Sequence, residues 1–167
     1  MRRLASVAGA LLLMITLATP ATAGSHDKLA VEGTFGATWH LWTLTLTEMG
    51  PHKCLLELDA DLEFYGDVTG TATGSYDVLV FASCAEAAAS PPGVLKELFW
   101  YLGDANLAVG GSTAEARIRY RGAQGEPNEP GQLTAQINLT GDLTGMLTVT
   151  AFGGGPASYR GFVHVRE

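Results

Sequence analysis

The sequence predicts an all-β fold, a single antiparallel barrel of roughly eight strands. Three features carry that expectation. Apolar and polar residues alternate with period two over long stretches, the signature of strands with one dry and one wet face. Glycine is abundant at 21 residues and marks the turns between many of those stretches, while charged residues make up only 16% of the chain. The stretches also follow one another at regular spacing, and closing them into a ring removes the exposed edges that an open sheet would leave.

Residues 1–23 read as a secretory signal. Arg2 and Arg3 form a charged start, Leu4 to Ala18 is apolar, and Ala21-Thr22-Ala23 offers a small-x-small cleavage pattern. The apolar run is short and stops at Thr19-Pro20, which disfavours a membrane anchor. No cysteine follows it at a lipidation position. Loss of the two arginines leaves 8 basic residues against 17 acidic ones, a mature charge of about −9. That balance disfavours nucleic acid or an anionic membrane as partner. Residues 24–167 suit one barrel domain.

The first mature strand is expected over Leu29 to Trp39, with Val31, Gly33, Phe35, Ala37 and Trp39 on one face. Apolar parity then switches near His40-Leu41, so that Trp42, Leu44 and Leu46 become the inward set. A bulge or tight turn accounts for the switch. Met49-Gly50-Pro51-His52 is the next connection, since Pro51 ends ladder pairing.

From Cys54 to Cys84 the even positions are apolar or small (Leu56, Leu58, Ala60, Leu62, Phe64, Val68, Tyr76, Val78, Val80) and the odd ones mostly polar. One straight strand of this length would span roughly 100 Å, so it must double back. A hairpin centred on Gly66-Asp67-Val68-Thr69-Gly70 pairs Phe64 with Gly74, Leu62 with Tyr76 and Leu58 with Val80. An odd-length loop keeps both arms in phase, and glycine supplies the positive φ it requires. The same register sets Cys54 opposite Cys84, within disulfide range, and export favours the bond. Small inward residues at Gly70, Ala72 and Gly74 either relieve strand bending or leave room for a cavity.

After Cys84 the alternation stops. Residues 86–102 are expected to form a short helix or irregular insertion capping a barrel end. Ser90-Pro91-Pro92-Gly93 resembles a helix start and Val94 to Leu102 a short helix, although Phe99-Trp100-Tyr101 could equally be strand. Asn106 to Val109 suits a brief strand. Ala114 to Tyr120 follows as a clean one, with Ala116, Ile118 and Tyr120 on one face and Arg117, Arg119 and Arg121 on the other. Ala123 to Gly131 is a loop. Leu133 to Ala151 alternates again around Gly141-Asp142-Leu143-Thr144-Gly145, which echoes the earlier turn and predicts a second hairpin, Leu139 opposite Val149 and Ile137 opposite Ala151. The echo fits a reused turn recipe better than an internal duplication. After Gly153-Gly154-Gly155-Pro156, a last strand runs from Tyr159 to Val165 with Val163 and Val165 inward.

Chemistry is thinly signalled. The chain has no H-E-x-x-H, G-x-S-x-G or P-loop spacing, and His26, His40, His52 and His164 are scattered singly. No catalytic residue, metal site or cofactor is therefore predicted. The row Glu57, Asp59, Asp61 and Glu63 reads as a solvated outer face rather than a calcium site. The row Arg117, Arg119 and Arg121 reads as exposed, or paired with those acids if the strands adjoin. Asn138-Leu139-Thr140 matches a glycosylation sequon but falls mid-strand. Trp39, His40 and Trp42 bracket the parity switch and are candidates to line a barrel mouth. Tyr76 and Trp100 join them as large aromatics with a polar tip, a composition that suits an apolar ligand.

Several of these segments together resemble a bacterial family of unknown function: G-T-F at Gly33 to Phe35, F-Y-G-D-V-T-G-T-A-T-G at Phe64 to Gly74 and Y-R-G at Tyr120 to Gly122. A G-x-L-T-x-x-x-x-L-T-G run at Gly131 to Gly141 and Y-R-G-F-V at Tyr159 to Val163 follow the same plan. The resemblance implies a β-barrel like that of the plant allene oxide cyclases. Its motifs are glycine and hydrophobic spacings, and the cyclases' catalytic residues do not align onto this chain, so no site residue is carried over. The insertion near residues 85–102, the export signal and the cysteine pair are departures from the pattern. The expectation is a secreted barrel that binds a small apolar molecule or serves structurally. A cofactor-free isomerase or cyclase, or an extracellular protein-binding module, are the alternatives.

Overall fold

The structure, a computed structural model, describes residues 28–90, 94–125, 132–151 and 157–166. The expected signal segment and the Gly153–Pro156 turn lie outside these residues, as does most of the Ala123–Gly131 loop. The described chain forms eight strands and one short helix: β1 (Leu29–Gly50), β2 (Lys53–Gly66), β3 (Val68–Val80), α1 (Cys84–Ala89), β4 (Glu97–Val109), β5 (Ser112–Gln124), β6 (Leu133–Gly141), β7 (Leu143–Ala151) and β8 (Ala157–Val165). Each strand pairs antiparallel with the next, and β8 returns to β1 to close the ring.

Alternation decides which face is dry. Ala60, Leu62 and Phe64 of β2, Phe99, Tyr101 and Leu107 of β4, and Leu143, Leu147 and Val149 of β7 all point inward and are buried. The acids Glu57, Asp59 and Glu63 and the arginines Arg117, Arg119 and Arg121 point outward into solvent. The acids lie on β2 and the arginines on β5, with β3 and β4 between them, so the two rows do not face each other. A dry inside and wet outside is the reverse of the plan of a membrane-spanning barrel. Among the described residues no helix is long and apolar enough to cross a membrane.

Both hairpins keep their arms in phase but turn earlier than the symmetric reading of their motifs. Phe64 faces Gly70, Leu62 faces Ala72 and Leu58 faces Tyr76. In the second hairpin Leu139 faces Gly145 and Ile137 faces Leu147. The turn sits at Gly-Asp rather than at the motif's centre, and the first glycine takes positive φ there (107° at Gly66, 121° at Gly141). The following Asp amide then donates to the flanking strand, Asp67 to the Glu32 carbonyl and Asp142 to the Glu115 carbonyl, both at 3.0 Å. The Thr-Gly half of each motif already belongs to the next strand.

This shift places Cys54 opposite Val80 rather than Cys84. The disulfide forms nonetheless, with Cα atoms 4.8 Å apart. The chain leaves β3 and caps α1 with Ser83, whose side chain accepts the Glu86 amide at 3.2 Å. Cys84, the first residue of α1, thereby comes back over Cys54. The helix expected over Val94–Leu102 is not formed. Residues 97–102 are the start of β4, where Phe99 and Tyr101 alternate inward against Val78 and Tyr76 of β3. Period-two burial of two large aromatics outweighs the weak helical signal of the preceding residues. The brief strand expected at Asn106 to Val109 is the end of this same strand.

The small inward residues do not open a cavity. A Cβ at Gly74 would stand 2.2 Å from the Leu102 carbonyl oxygen and 2.5 Å from the Gly103 Cα, so the strands close over that space. The Tyr101 ring fills the room beside Gly103, its hydroxyl 2.4 Å from where a Cβ would lie.

Candidate functional site

The longest strand defines the candidate site. β1 has 22 residues, whereas β6, β7 and β8 have 9 each. Its pairing with β8 ends at Phe35 opposite Ala157, yet β1 continues along β2 to Gly50. Its second half therefore projects as an arm beside one open end of the barrel. Leu41, Trp42 and Met49 on this arm are 68%, 81% and 57% exposed.

A bulge sets the arm's direction. His40 faces Asp59, then Thr45 faces Glu57, so four residues of β1 oppose one of β2. Thr43 fixes the distortion: its hydroxyl donates to the His40 carbonyl and accepts the Asp59 amide, both at 2.8 Å. The predicted parity switch is this bulge. Leu46 returns to the interior side, facing Leu56, whereas Leu44 still lies within the bulge. They are not buried as expected, because β8 has ended and no described strand covers them. Trp42, also expected inward, sits in the bulge and stacks on His40, ring centroids 4.7 Å apart. The arm is held at its far end too, where the Glu48 carboxylate accepts the Cys84 amide at 3.1 Å beside the disulfide.

The five aromatic candidates fall into three places. Trp39 and Tyr76 come together at the mouth, ring centroids 4.5 Å apart. His40 and Trp42 lie outside it, with His40 Nε2 3.0 Å from the Asp61 carboxylate. Trp100 is on the outer face of β4, in a shallow groove with Leu98, Arg121, Gln136 and Thr148. Behind the Trp39–Tyr76 pair the rings continue inward through Phe99, Tyr120, Phe35 and Phe64 to Tyr159, with centroid spacings from 5.2 to 5.9 Å. This chain of rings fills the barrel interior.

The ionisable groups inside are tyrosines; among the described residues no charged side chain is buried. Burial pushes the Tyr76 hydroxyl well above its ordinary value, with Tyr120 and Glu97 reinforcing the shift. Burial also raises Tyr101 and Tyr120. Tyr159 is tied down: its hydroxyl accepts the Val68 amide at 3.0 Å and donates to the Tyr65 or Val68 carbonyl. The Tyr101 hydroxyl is buried without a hydrogen-bond partner. Among the described residues no group of three His, Cys, Asp or Glu side chains could hold a metal ion. The arm residues Leu41, Leu44, Leu46 and Met49 were absent from the sequence-based candidates. Leu44 and Leu46 carry the alternation of core residues, so their pattern did not set them apart.

No family model and no curated protein matches this chain. Among solved structures it is similar to the crystal structure of a protein with unknown function from the DUF3224 family of Shewanella oneidensis MR-1. The TM-score is 0.59 at 13% identity, over 84% of this chain and 99% of that one. The likeness is one of fold, to a member of an uncharacterised family; it bears on no cyclase.

Proposed function

We propose that this protein is exported and binds a small apolar molecule, without catalysis, at the mouth between the β1 arm and the barrel end. The observation that carries the reading is Trp39, 42% exposed and packed at a tilt against the nearly buried Tyr76, with Leu44 and Leu46 exposed further along the arm. Aromatic and aliphatic surface held on a rigid scaffold is the usual makeup of an apolar ligand site. The disulfide suggests a non-cytoplasmic compartment, in keeping with the signal pattern of residues 1–23. A cofactor-free cyclase needs a shaped internal chamber, and the filled interior lends that reading less support. The test is titration of the mature protein with an anilinonaphthalene sulfonate probe, following energy transfer from tryptophan. Saturable binding that Trp39→Ala removes and Trp100→Ala leaves intact is the expected result. Binding indifferent to Trp39, or none at all, overturns the reading. Native mass spectrometry of protein taken from its own culture medium then identifies any retained ligand.

A further inference from the structure

The outer face of the barrel carries a second groove, separate from the mouth. Trp100 of β4 stands opposite Arg121 of β5, Arg121 opposite Gln136 of β6, and Gln136 opposite Thr148 of β7. All four side chains are exposed. They form one row across four neighbouring strands, about 14 Å long at the usual strand spacing. The adjoining row pairs Leu98, Ala123, Thr134 and Thr150 in the same order. Together the two rows line a shallow groove of about 670 Å³.

Charge on this side runs against that of the whole chain. The protein has 17 acidic residues, yet β6, β7 and β8 hold none, and β5 holds none after Glu115. Arg119 and Arg121 project outward from β5 here. Asp77 of β3 lies opposite Trp100 on the side away from Arg121. Among the described residues no carboxylate lies within ion-pair distance of Arg121. The groove thus sets an exposed indole beside an uncompensated guanidinium, over a floor of amide and hydroxyl groups.

We propose that this groove binds a short stretch of an acidic, uronate-bearing glycan. The C–H face of a pyranose ring packs on the Trp100 indole, whose ring face carries partial negative charge. A sugar carboxylate takes the Arg121 guanidinium, whose planar fork suits it. Sugar hydroxyls exchange hydrogen bonds with the Gln136 amide and with the hydroxyls of Thr134, Thr148 and Thr150, groups that both donate and accept. Single-stranded nucleic acid also combines stacking with positive charge, but it calls for successive stacking rings. The groove exposes one indole, and its hydroxyl-rich floor favours the sugar.

Calorimetric titration of the mature protein with trigalacturonate in about 50 mM salt is expected to show saturable binding, with a Kd of about 1 mM or tighter. Maltotriose, of the same length without carboxylates, is expected to bind about tenfold more weakly or worse, and added salt to weaken only the trigalacturonate complex. Trp100→Ala and Arg121→Gln should each cost about tenfold or more in affinity. Both side chains are exposed, so the variants keep the fold, which circular dichroism checks. Tyr65→Ala, an exposed aromatic on the outer face of β2, is the control and leaves binding unchanged. Absence of saturation below about 10 mM overturns the proposal. So does trigalacturonate binding that Trp100→Ala or Arg121→Gln leaves intact, or maltotriose binding as tight as that of trigalacturonate. A short oligothymidylate that binds more tightly than trigalacturonate overturns it in favour of nucleic acid.

Discussion

The rings of Trp39 and Tyr76 pack at a tilt, centroids 4.5 Å apart, where the dry interior of the barrel meets its open end. Tyr76 continues inward to Phe99 at 5.7 Å, so Trp39 is the outermost ring of the aromatic chain. Trp42, three residues on, stacks on His40 and is 81% exposed. The two tryptophans should therefore differ sharply. Trp39→Ala is expected to lower stability by about 1–2 kcal/mol, and Trp42→Ala to stay within about 0.5 kcal/mol of wild type. Urea midpoints at unchanged slope give both values.

Tyr159 and Tyr101 make a second contrast. The Tyr159 hydroxyl accepts the buried Val68 amide at 3.0 Å, whereas the Tyr101 hydroxyl has no partner. Tyr159→Phe strands a buried donor and should cost about 1–3 kcal/mol. Tyr101→Phe removes an unsatisfied oxygen and should leave stability unchanged or raise it by up to about 1 kcal/mol. Equal losses in the two variants would mean that the Tyr101 hydroxyl is hydrogen-bonded, for instance to a buried water.

Gly66 and Gly141 explain where sequence reading stopped short. Period-two alternation located the strands and their dry faces, and the burial of Leu62, Ile118 and Val163 follows it. Hairpin register did not follow, because a Gly-Asp-x-Thr-Gly motif contains two glycines and local sequence does not say which one turns. Both glycines of each motif pack against a third strand, a Cβ at Gly70 standing 2.2 Å from the Asn106 carbonyl oxygen and one at Gly145 2.3 Å from that of Phe162, so close approach does not single out the turn either. A Cβ at Gly66 would stand 2.7 Å from the Glu32 carbonyl oxygen on β1, and one at Gly141 would stand 3.0 Å from that of Glu115 on β5. The arm was illegible for a related reason: Leu44 and Leu46 have the pattern of core residues, and only the end of β8 leaves them uncovered. Gly66→Ala is accordingly expected to cost more than about 2 kcal/mol, combining a positive φ with a backbone clash. Thermal unfolding of the variant measures it.

Cys54 and Cys84 close a loop with a sequence separation of 30, and they are the only cysteines in the chain. Replacing both with serine, or reducing them, should lower stability by about 3–4 kcal/mol in the chain-entropy account. The loss should also be felt locally, since the bond fastens α1 to β2 and the Glu48 carboxylate fastens it to the β1 arm. Limited proteolysis is expected to cut first within residues 84–90 of the reduced protein while the barrel strands stay protected. Simultaneous loss of all strands at the first cut would show that the bond supports the whole barrel rather than this corner.

All five tyrosines, Tyr65, Tyr76, Tyr101, Tyr120 and Tyr159, have hydroxyls raised above the ordinary value of 10.0. Burial is the leading cause for the last four, and a hydrogen bond with Glu63 for Tyr65. The folded protein thus holds these protons at a pH where the unfolded chain releases them. Their contribution to stability is complete below the unfolded value of about 10, and it is lost as pH rises toward the native values. Alkaline titration followed by phenolate absorbance should show little ionisation at the usual midpoint, then a steep cooperative rise that coincides with loss of the β-sheet circular dichroism signal. A gradual rise centred near pH 10 with the sheet intact would mean that the interior rings are open to solvent, contrary to a barrel filled by its own aromatic side chains.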